Sequence, residues 1–226
     1  MTYERPEAIV YDVDGTLIDS EPLHVAAWKQ TLQSHGHDMS DLSAQFLQTM
    51  AGKKPIVIAE GMVKELGIDV PAEQFLQEKT NLFLALSETS LQPMPGAVES
   101  VRRFSDAGLR LAIGTSLNQT YLESVLQKLN IAEAFDVIVT GDEITKGKPN
   151  PETYLLVASK LGVKPSDMLV LEDARSGVEA AKASGAFCIG VENIEAEPQD
   201  LSFADKVVQS LNDVTLELVE SFCSGN

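Results

Sequence analysis

Short apolar segments alternate with amphipathic segments along the second half of the chain, and this alternation constrains the fold more than any other feature. The apolar segments are residues 111–113, 137–139, 168–171 and 188–191, with a weaker one at 207–208. Helices are predicted between them near 119–130, 151–161 and 175–184. Continuous apolar runs separated by helices are typical of parallel strands that are covered on both faces. With a first strand at 8–12, the alternation predicts an α/β fold built on a doubly wound parallel sheet.

The region from about residue 20 to residue 90 interrupts this alternation. It contains no segment with the pattern of a strand, and we predict helices near 22–35, 41–50, 55–66 and 72–87. The breaks between them are Gly36, the sequence Gly52-Lys53-Lys54-Pro55 and Gly67. We therefore expect two domains, an α/β core of residues 1–19 and 91–226 and an all-helical domain of residues 20–90 inserted after the first strand.

The sequence Asp12-Val13-Asp14-Gly15-Thr16 directly follows the first apolar segment. Two acidic residues at this spacing point to the same side of a strand. One carboxylate is then available for attack, and the other for moving a proton or binding a metal. Burying two carboxylates side by side is costly unless a cation or a lysine neutralises them. A catalytic pair is therefore favoured over the alternative, an acidic turn at the end of an ordinary strand.

Polar residues also follow three other predicted strands. They are Thr115 and Ser116, then Lys148 in the sequence Gly147-Lys148-Pro149, then Glu172 and Asp173. Each group has a simpler interpretation, namely a helix N-cap, a solvated loop charge and a cap of the following helix. Because the carboxyl ends of parallel strands meet at one edge of a sheet, all four groups together favour a site. Small hydroxyls before a helix are suited to bind a phosphate.

The acidic residues in this set predict a magnesium site. Carboxylates of Asp12, Asp14 and Asp173 are the hard oxygen ligands that Mg²⁺ prefers, together with phosphate and water. A zinc site is not indicated, because His35 and His37 flank Gly36 in a predicted break between helices.

With these residues in order, the chain resembles the haloacid dehalogenase superfamily. The four motifs that carry the resemblance are residues 12–20 (Asp-Val-Asp-Gly-Thr-Leu-Ile-Asp-Ser), Thr115-Ser116, Gly147-Lys148-Pro149 and Glu172-Asp173. The likeness covers nearly the whole chain. It is greatest to the subfamily with a helical cap after the first strand, which includes β-phosphoglucomutase and many small-molecule phosphatases.

The resemblance implies a role for each motif. Asp12 would be the nucleophile that forms an aspartyl-phosphate, and Asp14 the general acid and base, whose backbone carbonyl also touches the metal. Asp173 would complete the Mg²⁺ site, with Glu172 as a direct ligand or an outer neighbour. The transferring phosphoryl oxygens would be held by Thr115, Ser116 and Lys148. Dehalogenases of the superfamily lack an acid where Asp14 stands, so a phosphate ester is the expected substrate.

The predicted cap domain is expected to select the substrate. The resemblance places His24 and Lys79 where β-phosphoglucomutases carry a histidine and a cap lysine. The Ser-Arg pair of their cap loop is replaced here by Gly52-Lys53-Lys54-Pro55, and similar loops occur in the pseudouridine-5′-phosphatase-like branch. His24, Lys53, Lys54 and Lys79 are the candidate substrate contacts. The alternatives are that His24 packs on the first cap helix and that Lys53 and Lys54 are solvated.

The sequence therefore predicts a Mg²⁺-dependent phosphatase that acts on a small phosphorylated sugar or nucleoside through an aspartyl-phosphate. A β-phosphoglucomutase-type phosphomutase is the first alternative. A catalytically silent protein that binds phosphorylated metabolites is a remote one, against which the complete motifs count.

Composition limits the partners and the compartment. A net charge of −17 argues against nucleic acid, whose binding requires many Lys and Arg residues. No segment approaches the ~20 apolar residues of a membrane span, and no signal peptide is indicated. Cys188 and Cys223 lack a metal-binding or redox spacing and are expected to be plain thiols. We expect a cytoplasmic protein that is a monomer by default.

Overall fold

The computed structural model describes residues 5–48, 50, 53–194, 196 and 198–222. Gly52, in the predicted cap loop, and Cys223 lie outside the described residues. The chain divides into two compact units, one formed by residues 1–19 and 92–226 and the other by residues 20–91. We call the first the α/β unit and the second the helical unit.

The α/β unit is built on a six-stranded parallel sheet. In sheet order its strands are β5 (Val137–Val139), β4 (Arg110–Gly114), β1 (Ala8–Tyr11), β6 (Met168–Glu172), β7 (Phe187–Val191) and β8 (Lys206–Val208). The three central strands are almost entirely buried, which explains why they are continuously apolar. The predicted α/β fold with a doubly wound parallel sheet is confirmed.

Helices cover both faces of this sheet. They are α5 (Ala97–Asp106), α6 (Gln119–Leu129), α7 (Glu152–Leu161), α8 (Arg175–Ser184) and α9 (Leu216–Ser221). The side chains of β1 alternate between the faces: Val10 belongs to a cluster with residues of α7 and α8, whereas the Tyr11 hydroxyl donates to Ser100 Oγ on α5. The predicted α6, α7 and α8 are confirmed, and α5 and α9 were not predicted.

The register of the central strands places their carboxyl ends at one level. Tyr11, the last residue of β1, pairs with Ile113 of β4 on one side and with Leu171 of β6 on the other. The residues that follow these three strands therefore meet at one edge of the sheet. This edge is where open α/β sheets bind their ligands.

The helical unit contains no strand among its described residues. Its helices are α1 (Glu21–Ser34), α2 (Ala44–Gln48), α3 (Pro55–Leu66) and α4 (Ala72–Ser90). Three of the predicted helices are confirmed, whereas the one expected near 41–50 is divided into a 3-10 helix at Met39–Asp41 and the short α2. Asp38 explains this division, because its side chain caps the 3-10 helix and ends the preceding loop.

A short antiparallel pair lies where the chain leaves and re-enters the α/β unit. Strand β2 (Ile18–Asp19) pairs with β3 (Gln92–Pro93), with Ile18 opposite Pro93 and Asp19 opposite Gln92. This pair was not predicted, because strands of two residues leave no periodic pattern in a sequence.

Two further features concern Cys188 and the lengths of the helices. Cys188 is buried and unbridged on β7, and burial raises the pKa of its thiol above the usual value. Within the described part of the chain, every helix is too short or too polar to span a bilayer.

The core of the helical unit generates a prediction. Phe75 of α4 is fully buried and stacks against Trp28 at a ring-centroid distance of 6.1 Å. Replacing it with alanine leaves a cavity, so we expect Phe75→Ala to lower the free energy of unfolding by about 3–5 kcal/mol. Urea denaturation followed by fluorescence of Trp28, the single tryptophan, measures this change. The matched control is Leu84→Ala on the same helix, where the leucine is 40% exposed and the expected loss is below about 1 kcal/mol. Equal losses in the two variants would contradict the assignment of Phe75 to the core.

Candidate active site

Asp12 is the first residue beyond β1, and it lies buried at the carboxyl edge of the sheet. Its backbone N–H donates to the carbonyl of Leu171 at 3.0 Å, which continues the pairing with β6 past the end of the strand. The main chain of Asp12 is therefore held against β6 at the point where its side chain leaves the sheet.

Lys148 reaches this carboxylate from the loop before α7. Its Nζ donates to Asp12 Oδ1 at 2.5 Å, to Glu172 Oε1 at 2.6 Å and to the carbonyl of Gly114 at 3.1 Å. An ammonium group has three protons to donate, so these three acceptors use its full capacity. Lys148 thus connects groups at the ends of β1, β4 and β6.

Glu172, the last residue of β6, is 1% exposed and accepts from three donors. Oε1 accepts from Lys148 and, at 2.6 Å, from the Tyr154 hydroxyl, while Oε2 accepts from the backbone N–H of Ala174 at 3.3 Å. These contacts satisfy the carboxylate within the protein. The contacts of Glu172 are thus those of a residue that holds Lys148 in place more than those of a metal ligand.

The charges at this edge shift several pKa values. Burial raises the pKa of Asp12 to about 7, with the charges of Glu172 and Asp14 adding to the rise and Lys148 opposing it. Burial lowers the pKa of Lys148, but Asp12 and Glu172 more than offset this and leave it above the ordinary value. Burial and the charges of Glu172 and Asp12 raise the pKa of Tyr154 well above its usual range. Tyr154 therefore keeps its proton and remains a donor.

Asp173 completes an acidic cluster with Asp12 and Glu172. One carboxylate oxygen from each of the three lies within 4.8 Å of the others. Burial, followed by the charges of Asp12 and Glu172, raises the pKa of Asp173 well above its usual value. Such mutual repulsion disfavours three ionised carboxylates unless a cation joins them. The cluster consists only of oxygen donors, as Mg²⁺ requires.

Two residues of the first motif shape the surroundings of Asp173. The Thr16 hydroxyl donates to Asp173 Oδ1 at 3.3 Å. Gly15 has φ +79°, and a Cβ at this position would lie 1.9 Å from Asp173 Oδ2. Only glycine fits here, both for its backbone conformation and for the space that Asp173 occupies.

The remaining predicted residues of the α/β unit have distinct settings. Asp14 is partly buried beyond β1, and its charge contributes to the raised pKa of Asp12. Thr115 is buried after β4 and its Oγ accepts from the backbone N–H of Leu117 at 3.2 Å, whereas Ser116 is exposed. Neither hydroxyl is the N-cap of α6, because Asn118 has that position and accepts from Tyr121 N–H.

Two candidate contacts of the helical unit, His24 and Lys79, lie together. Lys79 is 5% exposed and its Nζ donates to His24 Nδ1 at 2.6 Å. The His24 ring stacks on Phe83 with centroids 4.0 Å apart, and Lys79 Nζ lies 5.2 Å from the centroid of Trp28. Burial, and then the charge of Lys79, lower the pKa of His24 to about 3. His24 is thus neutral at pH 7 and accepts through Nδ1.

The other candidates of the helical unit are not gathered into this cluster. Lys53 and Lys54 are exposed, and Lys54 is the N-cap residue of α3 without a side-chain capping bond. His35 Nε2 lies 2.7 Å from Glu78 Oε2. Among the described residues, the only group of three side chains arranged to hold a metal ion is the acidic one formed by Asp12, Glu172 and Asp173.

Two residues of the site were missed from the sequence, Tyr154 and Gly177. Tyr154 lies on α7, inside a helix whose apolar face is a sufficient reason for an aromatic residue. Gly177 lies in the first turn of α8, and a Cβ there would be 1.8 Å from Glu172 Oε1. A glycine inside a helical pattern, where it lowers stability, was the available signal for a close approach.

Comparison with known proteins identifies the family. Residues 9–191 match the family described as haloacid dehalogenase-like hydrolase, and the chain belongs to it. Fructose-1-phosphate phosphatase YqaB of Escherichia coli is 32% identical over 190 residues, which are 84% of this chain and 98% of that protein. A phosphorylated carbohydrates phosphatase of Thermotoga maritima is 33% identical over 180 residues, 79% of this chain and 82% of that protein.

The solved structures agree with the fold. A crystal structure from Thermotoga maritima, described as that of a "putative beta-phosphoglucomutase", is 30% identical and matches with a TM-score of 0.81. The match covers 94% of this chain and 98% of that one. The predicted resemblance to the helical-cap branch of the superfamily is thereby confirmed, and with it the expectation of an enzyme.

Gly177 generates a stability prediction. In a helix interior, alanine is normally favoured over glycine by about 1 kcal/mol. In Gly177→Ala the new Cβ instead displaces the Glu172 carboxylate from its buried partners, so we expect the free energy of unfolding to fall by about 3 kcal/mol. Urea denaturation measures it. Ser176→Ala, in the same turn of α8, adds no atom and is expected to stay within about 0.5 kcal/mol of the parent. A Gly177→Ala variant as stable as the parent would contradict the close approach.

His24 generates a pH prediction. Its pKa is about 3 in the folded protein and about 6.5 in an unfolded chain. Between these values the unfolded chain binds a proton that the folded protein does not, so the free energy of unfolding falls as the pH is lowered through this range. The loss from His24 is about 2 kcal/mol at pH 5. Urea denaturation at pH 7 and at pH 5 measures this loss. The control is His24→Gln, which keeps an acceptor for Lys79 but does not titrate, and its free energy of unfolding should fall by about 2 kcal/mol less than that of the parent. Identical losses in both proteins would show that His24 is not held neutral.

Proposed function

We propose that this protein is a Mg²⁺-dependent phosphatase of small phosphorylated sugars, which acts through an aspartyl-phosphate on Asp12. The observation that carries the proposal is the buried Asp12 carboxylate held by Lys148 beside Glu172 and Asp173. A carboxylate placed there for stability alone is costly. Beside the ammonium group of Lys148 and an acidic cluster that is suited to hold a metal ion, this carboxylate is suited to attack a phosphorus atom.

In the first step, an Asp12 carboxylate oxygen attacks the phosphorus of the substrate. The new bond joins Asp12 to the phosphoryl group, and the bond between phosphorus and the sugar oxygen breaks. Lys148 offsets the negative charge of the nucleophile and of the phosphoryl oxygens. Phosphoryl transfer depends mainly on such positioning and charge neutralisation.

Asp14 supplies the proton chemistry in this proposal. As a general acid it gives its proton to the departing sugar oxygen, and as a base it then takes a proton from the water that attacks the aspartyl-phosphate. The second attack releases inorganic phosphate and restores Asp12 and the protonated Asp14. Apart from the substrate, water is the only reactant that the two steps consume.

A magnesium ion fits the acidic cluster. Asp12 and Asp173 would hold it, together with the backbone carbonyl of Asp14, while Glu172 supports them from its contacts with Lys148 and Tyr154. The ion supplies positive charge that screens the carboxylates from one another and from the incoming phosphate. Gly15 leaves the space in which Asp173 takes its position.

Phosphate binding requires an exchange at Lys148. Its three donors already serve protein acceptors, so a phosphoryl oxygen must replace one of them. Thr115 is expected to assist, because its oxygen accepts from Leu117 N–H and its own hydroxyl proton is left to donate. Ser116, which is exposed, is the second proposed phosphate contact.

The substrate class is proposed from the relatives and from the helical unit. The two phosphatases reported above are described as acting on fructose 1-phosphate and on phosphorylated carbohydrates. We propose that residues 20–90 form a cap domain and residues 1–19 and 91–226 the core, and that His24, Lys53, Lys54 and Lys79 contact the substrate. The protein is proposed to act as a cytoplasmic monomer on a small metabolite.

A phosphomutase of the β-phosphoglucomutase type is the second candidate function. The contact between His24 and Lys79 favours it, because both residues fall where that group of enzymes carries a histidine and a lysine. In this case a second sugar hydroxyl, rather than water, receives the phosphoryl group from Asp12. The two functions share every residue of the α/β unit named above.

A substrate screen tests the proposal. With Mg²⁺ present, we expect release of inorganic phosphate from one or more of fructose 1-phosphate, glucose 6-phosphate, β-glucose 1-phosphate and nucleoside 5′-monophosphates. Asp12→Asn, which keeps the size of the side chain but removes the nucleophile, should lower the rate by at least roughly 1,000-fold. EDTA should abolish release, and added Mg²⁺ should restore it.

The same assay separates the alternatives. Conversion of β-glucose 1-phosphate to the 6-phosphate without net phosphate release would replace the phosphatase by the mutase. Activity that persists in Asp12→Asn would overturn the assignment of the nucleophile. Failure of beryllium fluoride to bind in the presence of Mg²⁺ would favour a silent binding protein.

A further inference from the structure

We propose that Tyr154 is a positioning residue for phosphoryl transfer, acting through Glu172 on Lys148. The inference rests on the proposed function, since it concerns how Lys148 is directed toward Asp12. It adds to that function a residue outside the four sequence motifs. Tyr154 itself touches neither Asp12 nor a substrate and is therefore not a catalytic residue.

The geometry connects four buried side chains in series. The Tyr154 hydroxyl donates to Glu172 Oε1 at 2.6 Å, and the same oxygen accepts from Lys148 Nζ at 2.6 Å, which in turn donates to Asp12 Oδ1 at 2.5 Å. Tyr154 is fully buried, and its ring lies beneath the ammonium group, with Nζ 5.1 Å from the centroid. The ring and the hydroxyl of one residue thus contact both partners of the buried ion pair.

The hydroxyl matters because Asp12 and Glu172 compete for one ammonium group. In a buried setting, each carboxylate attracts Lys148 strongly. Donation from Tyr154 partly satisfies Glu172 Oε1 and so weakens the attraction of Glu172 for Lys148. More of the positive charge of Lys148 is then directed to Asp12 and to the phosphoryl oxygens. Removing the hydroxyl shifts the balance toward Glu172.

This balance affects the transition state more than the bound substrate. Negative charge on the transferring phosphoryl group must be matched at the moment of transfer. Contacts to the parts of the substrate that do not react are kept throughout the reaction. Removing the hydroxyl is therefore expected to lower kcat and to change KM by less than about twofold.

The test compares two tyrosine-to-phenylalanine variants. Tyr154→Phe should lower kcat by roughly tenfold, as expected for the loss of a hydrogen bond to a charged group. Tyr11→Phe is the matched control, because Tyr11 is also fully buried in the α/β unit and its hydroxyl donates at 3.2 Å to Ser100 Oγ. It should lose similar stability and keep the parent kcat. Both are assayed with Mg²⁺ and the best substrate of the screen.

A second measurement does not depend on turnover. Binding of beryllium fluoride with Mg²⁺, followed by fluorine NMR, reports the phosphoryl-like adduct on Asp12. Its affinity should fall in Tyr154→Phe, because Lys148 also faces the negative charge of the adduct, and should be unchanged in Tyr11→Phe. If the parent neither releases phosphate nor binds beryllium fluoride, the proposed function fails. If the parent does both and Tyr154→Phe matches it, only the role of Tyr154 fails.

Double variants test whether Tyr154 acts through Glu172. In a Glu172→Gln background, Tyr154→Phe should lower kcat by less than about twofold, because the carboxylate that it serves is absent. If the fold-changes in kcat caused by Tyr154→Phe and by Glu172→Gln simply multiply in the double variant, the pathway through Glu172 is overturned. If Tyr154→Phe does not fold, 3-fluorotyrosine at position 154 nearly keeps the size of the side chain and donates more strongly, so kcat should rise by at least roughly threefold. An unchanged kcat in that protein would likewise overturn the proposal.

Discussion

The buried contact of Lys148 with Asp12 and Glu172 is the interaction on which the rest of the α/β unit depends. Three carboxylates, those of Asp12, Glu172 and Asp173, face one ammonium group at the edge of the sheet. Removing one partner of a buried ion pair typically costs about 3–5 kcal/mol, because the remaining charge is left unpaired. The negative excess makes this edge suited to hold a cation. Stability and chemistry are thus coupled at the same atoms.

Most of the α/β unit was predictable because it follows a simple pattern. Strands buried on both faces must be continuously apolar, and helices that cover a sheet must be amphipathic, so both leave a signal in the sequence. The α5 helix was missed even though its buried residues Ala97, Val101 and Phe104 recur at helical spacing. The antiparallel pair β2–β3 was missed because two strands of two residues each are too short to show an alternating hydrophobic pattern.

The site was predictable as a set of strand ends, but its internal organisation was not. Parallel topology brings Asp12, Thr115 and Asp173 to one edge whatever the details of packing. Which oxygen Lys148 contacts, and whether Glu172 faces a metal or a tyrosine, depends on side-chain directions that spacing does not determine. Tyr154 is the clearest case, since an aromatic residue on a covering helix is adequately explained by the core. In the helical unit, similarly, the periodicity of the sequence does not indicate that Lys79 packs among aromatic rings.

The antiparallel pair β2–β3 has a consequence for how such a chain changes over evolution. Because Ile18 lies opposite Pro93, the points of departure and return are neighbours, and the α/β unit bridges the same short gap whatever lies between them. The intervening segment is free to lengthen, shorten or be exchanged for another without altering the register of the six-stranded sheet. The α/β unit that contains Asp12 and the helical unit are thereby encoded in separable stretches of one gene, which selection is able to modify independently.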